Sequence, residues 1–565
     1  MPTLTIDNAA VPFEPGETLL QAATRAGIAI PTLCSLEGIE PPTSCYVCVV
    51  KIQGRNNLAP ACATLAEEGM VLESGSEEVR RYRRRALELL LSEHAGDCEA
   101  PCRRICPADL DIPVMARHIA EGDLEAAAST VWQRLALPGV LGHICTAPCQ
   151  KGCVRAHGDG AVAIRELHKG VADAAATGAA TAPRAAPATG KRVTVIGAGP
   201  AGLSCAFYLA LSGHACTVID EREEPGGMLR YGVDRATLPL AVLDREIALI
   251  RSLGVEFRMG CGVDGQHALD ELLQRSDAVV FATGASATDR PWPFDVKATP
   301  KGIAVDADTF ATGRGGVFAC GGAIAVCRMA VRAVGQGRLT AESVHRFLTC
   351  STPAACSESP RHPGGLRPPD AGRAAWSPRF DSRLGTLDDD ELRQLTATDL
   401  ASMRAVSGLG EPAPPRGPAT SGHGHACTSL EDASQAGPFD SALAAAAGRC
   451  LQCDCGKKSD CALRAYAQEY EASRDRYRTG ARKHVARTRY AGGLVHEPGK
   501  CIDCGRCIGI TAAESVQPGL AFGNRGFDVA VKAPFGNDMD VAMGRSLDRC
   551  IAACPVGALW KVKGP

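Results

Sequence analysis

The sequence has no surplus of either charge: 61 Lys and Arg stand against 63 Asp and Glu, a formal net charge of -2. Without a global basic field it has nothing to hold nucleic acid or an anionic membrane surface. Long apolar runs are missing too, and none reaches the roughly 18 residues that a spanning helix needs. The opening MPTLTIDNAAVPFEPGETLL has no basic stretch ahead of an apolar one, so it does not read as an export signal and a cytoplasmic location is expected. There is no tandem repeat and no nucleophile, general acid or substrate-pocket signature. These absences point away from chemistry on a bulky substrate.

What the chain has is cysteine, 27 residues of it in 565. Thiols in a reducing compartment are poor disulfide formers, so metal ligation is the expected use. Most of the cysteines fall in tight local groups, whereas Cys205, Cys216 and Cys261 stand singly. The length suggests about three to five domains, of mixed α/β and α+β class. Residues 1–78 read as a small β-rich domain, with LTIDNAAVPF as a strand pair and ETLLQAATRAGI as a helix. Residues 79–175 read as helical, 176–190 as an Ala/Thr/Pro linker, and 191–349 as a nucleotide-binding βαβ domain. Residues 350–445 are Pro-, Ser-, Ala- and Gly-rich and read as a long linker, with one helix around DDDELRQLTATDLASM; residues 446–565 form a Cys-rich terminal domain.

Cys34, Cys45, Cys48 and Cys62 follow the spacing C-x10-C-x2-C-x13-C. Four thiolates on loops suit a 2Fe-2S cluster, whereas a zinc knot expects shorter, more regular pairs. The pattern resembles the β-grasp ferredoxin domain at the start of the complex I large iron-sulfur subunit and of iron-only hydrogenases.

The segment HAGDCEAPCRRICP sets His94, Cys98, Cys102 and Cys106 at four-residue steps, and ICTAPCQKGC repeats the step with Cys145, Cys149 and Cys153. With CPADLDIPVMARHIAEGDLEAA, LPGVLGHIC and VAIREL around them, these words resemble the helical domain of the glutamate synthase small subunit and of dihydropyrimidine dehydrogenase. That resemblance implies two 4Fe-4S clusters with eight ligands, one of them not cysteine. His94 and His168 are the candidates to complete the six cysteines. The implied division is His94, Cys98, Cys102 and Cys153 for one cluster, and Cys106, Cys145, Cys149 and His168 for the other.

Gly197, Gly199 and Gly202 fit G-x-G-x-x-G between an apolar strand and an Ala/Leu-rich helix, whose N-terminus would face a pyrophosphate. Asp220 ends the second strand, where a carboxylate would meet ribose hydroxyls. The continuation EEPGGMLRYGV, with Gly227 and Met228, then DAVVFATGA with Gly284 and GGVFACGGA with Gly321, resembles flavin-contacting segments of the glutamate synthase small subunit. The resemblance implies FAD. Two departures stand out. Gly322 replaces the Asp usual in those relatives, and only about thirty residues separate Gly284 from Gly316, where they insert a second nucleotide domain for NAD(P)H.

CIDCGRCI supplies Cys501, Cys504 and Cys507, and RCIAACPVGAL supplies Cys550 and Cys554. Cys554 is the expected fourth ligand of a further 4Fe-4S cluster, since CPVGAL resembles the segment that closes a cluster in the complex I subunit. For Cys450, Cys453, Cys455 and Cys461 the spacing C-x2-C-x-C-x5-C leaves an iron-sulfur cluster and zinc both open.

The resemblances imply one 2Fe-2S cluster, three or more 4Fe-4S clusters and FAD, in an electron-transfer subunit of a larger oxidoreductase. Its partners would be a nicotinamide-binding flavoprotein, a molybdenum, tungsten or hydrogenase catalytic subunit, or ferredoxin. Two rivals are a self-sufficient NAD(P)H-dependent protein like the glutamate synthase small subunit, against which the missing domain argues, and a redox-sensing or cluster-carrier protein, for which no effector module is evident.

Overall fold

The computed structural model describes residues 1–94, 98–157, 159–285, 294–349, 441–457, 460–473, 476–477 and 486–561. The helix expected around DDDELRQLTATDLASM and nearly all of the 350–445 linker lie outside the described residues. The described chain divides into two compact units. The first joins Met1–Glu99 to the segment from Cys453 onward, and the second runs from Ala100 and ends at Gln452. Among the described residues no helix is long and apolar enough to cross a membrane.

In the first unit, β1 (Thr3–Ile6) and β2 (Ala9–Pro12) pair antiparallel in the register Thr3 to Pro12. Asp7 and Asn8 make the turn with φ of 47° and 71°, values that short polar side chains tolerate and that suit a tight hairpin. With β3 (Val49–Ile52), β4 (Leu58–Pro60) and β5 (Val71–Glu73) they complete a five-stranded sheet in the order β2-β1-β5-β3-β4. The helix Leu19–Arg25 starts at a capping box between Thr18 and Gln21 and buries Leu19, Leu20, Ala22 and Ala23. Those residues join Leu4, Ile6, Val11, Phe13, Val50, Ile52 and Leu72 in one core, which also takes in Cys48 and Cys62.

The helix Glu77–Glu93 leaves this sheet with two glutamates in its first turn, where the helix dipole favours negative charge. Its buried Arg83 donates to the Val49 carbonyl at 2.9 Å and to the Tyr470 hydroxyl at 3.0 Å, tying the N-terminal sheet to the C-terminal segment. That segment contains the helix Ala462–Glu469, the helices Arg506–Ala513 and Leu547–Ala553, and a three-stranded antiparallel sheet. The sheet comprises β13 (Thr488–Arg489), β14 (Leu494–His496) and β17 (Leu559–Lys561), while β15 (Ala521–Gly523) and β16 (Ala530–Lys532) form a separate hairpin.

The second unit opens with six α-helices and one 3-10 turn between Pro101 and Ala176. A parallel sheet follows in the order β12-β9-β6-β7-β8, with β6 (Arg192–Ile196), β7 (Ala215–Asp220), β8 (Glu256–Met259), β9 (Ala278–Phe281) and β12 (Val317–Ala319). β9 is buried on both faces and β6 nearly so, as continuous apolar runs in a doubly covered sheet must be. Between β9 and β12 the described residues contain only the hairpin of β10 (Ala298–Thr299) and β11 (Gly302–Ile303), so no second parallel sheet is present among them. The helical region is fastened to the sheet region by buried polar contacts. Tyr208 donates its hydroxyl to the Trp132 carbonyl at 3.0 Å, and Glu246 accepts the amides of Gly139 and Val140 at 2.6 and 2.9 Å. The Glu246 carboxylate thereby caps the helix Pro138–Ile144, which leads directly into Cys145.

Candidate metal centres and nucleotide turn

The N-terminal four thiols come together as their spacing predicts. Cys34, Cys45, Cys48 and Cys62 are all buried, and their side chains hydrogen-bond one another through the pairs Cys34–Cys45, Cys34–Cys62 and Cys48–Cys62. These contacts divide the acidities. Cys34 and Cys48 are held below an ordinary thiol as acceptors, while Cys45 and Cys62 are pushed up as donors. Metal ions at such a site would replace the shared protons. The loop pays a conformational cost for the arrangement, with Thr43 and Tyr46 at φ of 55° and 52° in the left-handed region.

In the second unit, Cys106, Cys145 and Cys149 lie within electrostatic reach of one another. Burial, then the other two thiols, pushes Cys149 up to about 12. The Cys145 sulfur accepts the Ala147 amide at 3.4 Å. Gly152 packs the segment carrying Cys149 against Ile105, and so against the helix that carries Cys102. His168 is buried with Nδ1 3.1 Å from the Pro138 carbonyl. Burial lowers its pKa to about 4, so the ring is neutral, and with Nδ1–H donating to the carbonyl, Nε2 is the unprotonated nitrogen.

Cys98 belongs to the first unit. Its carbonyl accepts the Cys455 amide at 3.2 Å, and burial, then the Cys455 thiol, pushes its thiol up to about 12. Cys461 adds to that effect. The resemblance had set Cys98 beside Cys102 and Cys153, and had left Cys455 and Cys461 in a group of their own. His94 caps the end of the helix Glu77–Glu93 four residues before Cys98.

Cys501, Cys504, Cys507 and Cys554 surround one cavity, which Arg506, Met539 and Val556 also line. Gly505, at φ 71°, turns the chain between Cys504 and Cys507 so that both thiols point into it. Cys550 is fully buried, lies outside that lining and donates weakly to the Cys507 carbonyl, which supports Cys554 as the fourth ligand. This centre adjoins the N-terminal one. Cys34 and Cys45 share a core with Cys504, and the Cys34 thiol is near enough to raise that of Cys504.

Sequence reasoning missed the charged groups around these thiols. Glu497, buried, accepts from Arg487 at 2.8 Å, Lys500 at 2.9 Å and the Trp560 indole at 2.9 Å. Against burial, which raises it, Arg487 and Lys500 hold its carboxyl down at about 2. Lys500 remains charged although buried, because the Cys455 thiol and Glu497 offset its desolvation. Its only sequence signal was a basic residue directly before Cys501.

The glycine turn folds between β6 and the helix Pro200–Leu211 as G-x-G-x-x-G requires. A Cβ at Gly202 would fall onto the Gly197 carbonyl, and one at Gly197 onto Ala282, whereas at Gly199 it would meet open space at the helix N-terminus. Gly227, at φ 51°, closes on Gly199, while Met228 is exposed. Asp220 braces the turn: one oxygen accepts the Ala198 amide at 2.6 Å and the other the Arg222 amide at 2.9 Å. Gly321 lies at φ 65° against Ala201, and a Cβ at Gly322 would come within 2.7 Å of the Ala285 amide, beside Gly284. The carboxylate missing at 322 therefore has a packing reason.

Three family models match. Residues 1–77 match a 2Fe-2S iron-sulfur cluster binding domain, 78–179 the dihydropyrimidine dehydrogenase domain II with its 4Fe-4S cluster, and 195–254 an NAD(P)-binding Rossmann-like domain. Among curated proteins, the NADP(+)-dependent formate dehydrogenase subunit beta of Moorella thermoacetica is 38% identical over 213 residues, covering 34% of this chain and 30% of that one. The NADPH-Fe(3+) oxidoreductase subunit beta of Geobacter sulfurreducens is 36% identical over 206 residues, covering 36% and 30%. The glutamate synthase NADPH small chain of Mycobacterium tuberculosis is 34% identical over 193 residues, covering 34% and 40%. The chain thus spans well under two thirds of these relatives' lengths. A solved NAD+-reducing NiFe-hydrogenase matches at 36% identity over 21% of this chain and 49% of that one, with a TM-score of 0.17, too low to compare folds. The chain is a mixed α/β multidomain protein that joins a 2Fe-2S domain and a 4Fe-4S domain of the dihydropyrimidine dehydrogenase type to a Rossmann-like domain.

Proposed function

We propose that this chain is a cytoplasmic electron-transfer subunit of a multisubunit oxidoreductase, with iron-sulfur clusters on its thiol groups and FAD on the glycine turn. The observation that carries the reading is the shared core of Cys34, Cys45 and Cys504, which sets the N-terminal and C-terminal thiol sites side by side. Iron-sulfur clusters supply one-electron transfer, and a flavin exchanges electrons singly or in pairs. In this reading residues 1–78 are a β-grasp ferredoxin, with Cys34, Cys45, Cys48 and Cys62 holding 2Fe-2S. Cys501, Cys504, Cys507 and Cys554 hold a 4Fe-4S cluster in a ferredoxin-like domain. Cys106, Cys145, Cys149 and His168 hold another.

The chain's own residues do the positioning. The open space at Gly199 and the helix N-terminus behind it suit a pyrophosphate, and Asp220 holds the turn in shape. Buried cations beside buried thiols lower the cost of adding negative charge there. With only a hairpin between β9 and β12, the described residues of that stretch offer no second nucleotide turn to seat a nicotinamide against the flavin, and hydride transfer depends on that alignment. Electrons therefore enter through a partner, such as a nicotinamide-binding flavoprotein or ferredoxin. The names of the relatives, formate dehydrogenase and NADPH-Fe(3+) oxidoreductase subunits, favour a partner that carries the substrate chemistry.

The test is stopped-flow mixing of the anaerobic chain with NADH and with NADPH, following flavin and cluster bleaching. Slow bleaching that becomes fast when the partner is added is expected. Rapid, complete bleaching of the chain alone would overturn the reading of the missing domain. Gly199→Val is expected to remove flavin and to spare the 2Fe-2S signal.

A further inference from the structure

The thiols near Cys98 come from the other end of the chain. The Cys455 amide donates to the Cys98 carbonyl at 3.2 Å, so the two backbones run against each other. The Cys98 thiol feels those of Cys455 and Cys461, and Cys461 in turn feels Cys455. Cys455 is 4% exposed, and its sulfur occupies the space a Cβ at Gly557 would need. Around the three thiols stands a set of buried cations. Lys500 acts on Cys98 and Cys455, Arg464 acts on all three, and Lys457 is fixed by the Cys554 and Ala552 carbonyls at 2.6 and 3.1 Å. Three thiols within electrostatic reach of one another, two of them on backbones joined by a hydrogen bond and all beside buried cations, suit a group of net negative charge that takes sulfur ligands. Cys453 lies two residues before Cys455, and His94 four before Cys98, in the same unit.

We infer that Cys98, Cys455 and Cys461 are ligands of one iron-sulfur cluster, completed by Cys453 or His94 and built from two segments more than 350 residues apart. This inference rests on the reading of the thiol groups as iron-sulfur sites. It removes Cys98 from the set with Cys102 and Cys153, and it makes iron rather than zinc the metal of Cys455 and Cys461. The site adjoins the C-terminal centre. Lys457 and the Ala462 amide both bond to the chain at Cys554 and Pro555, and Cys461, Cys501 and Cys554 pack on the core that contains Cys34 and Cys504. The first unit thus carries thiols of three centres on one core.

The test uses the full-length chain, anaerobically reconstituted, read by iron and sulfide content and by electron paramagnetic resonance of reduced samples. Cys98→Ser and Cys461→Ser are each expected to lose the same signal and about four irons. The double variant is expected to lose no more than either single one. Cys102→Ser is expected to lose a different signal, and its loss adds to that of Cys461→Ser. Different signals lost in Cys98→Ser and Cys461→Ser, additive iron losses, or loss of zinc from Cys461→Ser would each overturn the inference. The 2Fe-2S signal reports folding of the first unit. Where a Cys variant loses it, Arg464→Gln decides: a lower midpoint potential of one four-iron signal supports the inference, and unchanged potentials overturn it. Iron absent from the unsubstituted chain would instead fail the reading on which the inference rests.

Discussion

The two thiol sites that flank the first unit's core are built in opposite ways. The N-terminal set takes Cys34, Cys45, Cys48 and Cys62 from a single stretch of loop and strand, and each thiol bonds another. The set around Cys98 draws on two distant segments, and its surroundings are buried ionic groups rather than a hydrophobic sheet. A local site takes all its ligands from one short stretch, even where Cys34 and Cys45 also pack on the C-terminal segment. A composite site depends on everything that holds the two segments together.

Glu497→Ala should show that dependence most strongly. It leaves Arg487 and Lys500 buried without their counter-ion, a loss of about 3–5 kcal/mol, and strips the signals assigned to the C-terminal half while the 2Fe-2S signal persists. The check is spectroscopy together with denaturant titration of each signal. Equal loss of the 2Fe-2S signal would mean that the two sites stand or fall as one.

The same ion group makes the comparison pH-dependent. Glu497 titrates at about 2 in the folded chain, below its ordinary value, so its stabilisation is complete above the ordinary carboxylate range. It is lost as the pH falls toward 2, and amounts to about 3 kcal/mol at most. In the metal-free chain, hydrogen exchange around β14 and β17 should accelerate across that acid window in the unsubstituted protein and be flat in Glu497→Gln.

Gly557→Ala is more local. Its new methyl would displace the Cys455 sulfur, and the expected result is loss of one four-iron signal with little change in secondary structure by circular dichroism. An intact set of signals would mean that the thiol has room to move and still ligate. Cys48→Ala should remove only the 2Fe-2S signal; loss of the others would show that the local site also supports the composite one. The smallest effect is expected at Tyr46, whose side chain is exposed and whose φ is 52°. Tyr46→Gly relieves a left-handed residue but gains unfolded-state entropy, so stability should change by under about 1 kcal/mol.

The same contrast explains what could be read from the sequence. The four N-terminal cysteines, the turn at Gly197, Gly199 and Gly202, and the strand and helix around it are legible because each motif is closed within a few dozen residues. So is the thiol quartet at Cys501, Cys504, Cys507 and Cys554, since the resemblance at CPVGAL singles out Cys554. The neighbours of Cys98 are not legible, because spacing carries no information across a gap of hundreds of residues. The amide contacts of Asp220 are not legible either, since a strand-end carboxylate looks the same in sequence whether or not it also braces the turn. Gly322 reads as a lost function in the sequence and as a close approach to Gly284 and Ala285 in the structure.

The bond between the Cys455 amide and the Cys98 carbonyl also bears on the order of synthesis. A ribosome adding about 5–20 residues per second releases Cys98 roughly 20–70 s before Cys461. For that interval the early thiol has none of its eventual neighbours, and the N-terminal domain is already free to fold. Loading of the local site can therefore begin on the nascent chain, whereas the composite site must wait until about four fifths of the chain has been made. A transcript truncated before Cys455 would yield a protein with the N-terminal thiols in place and the composite site incomplete.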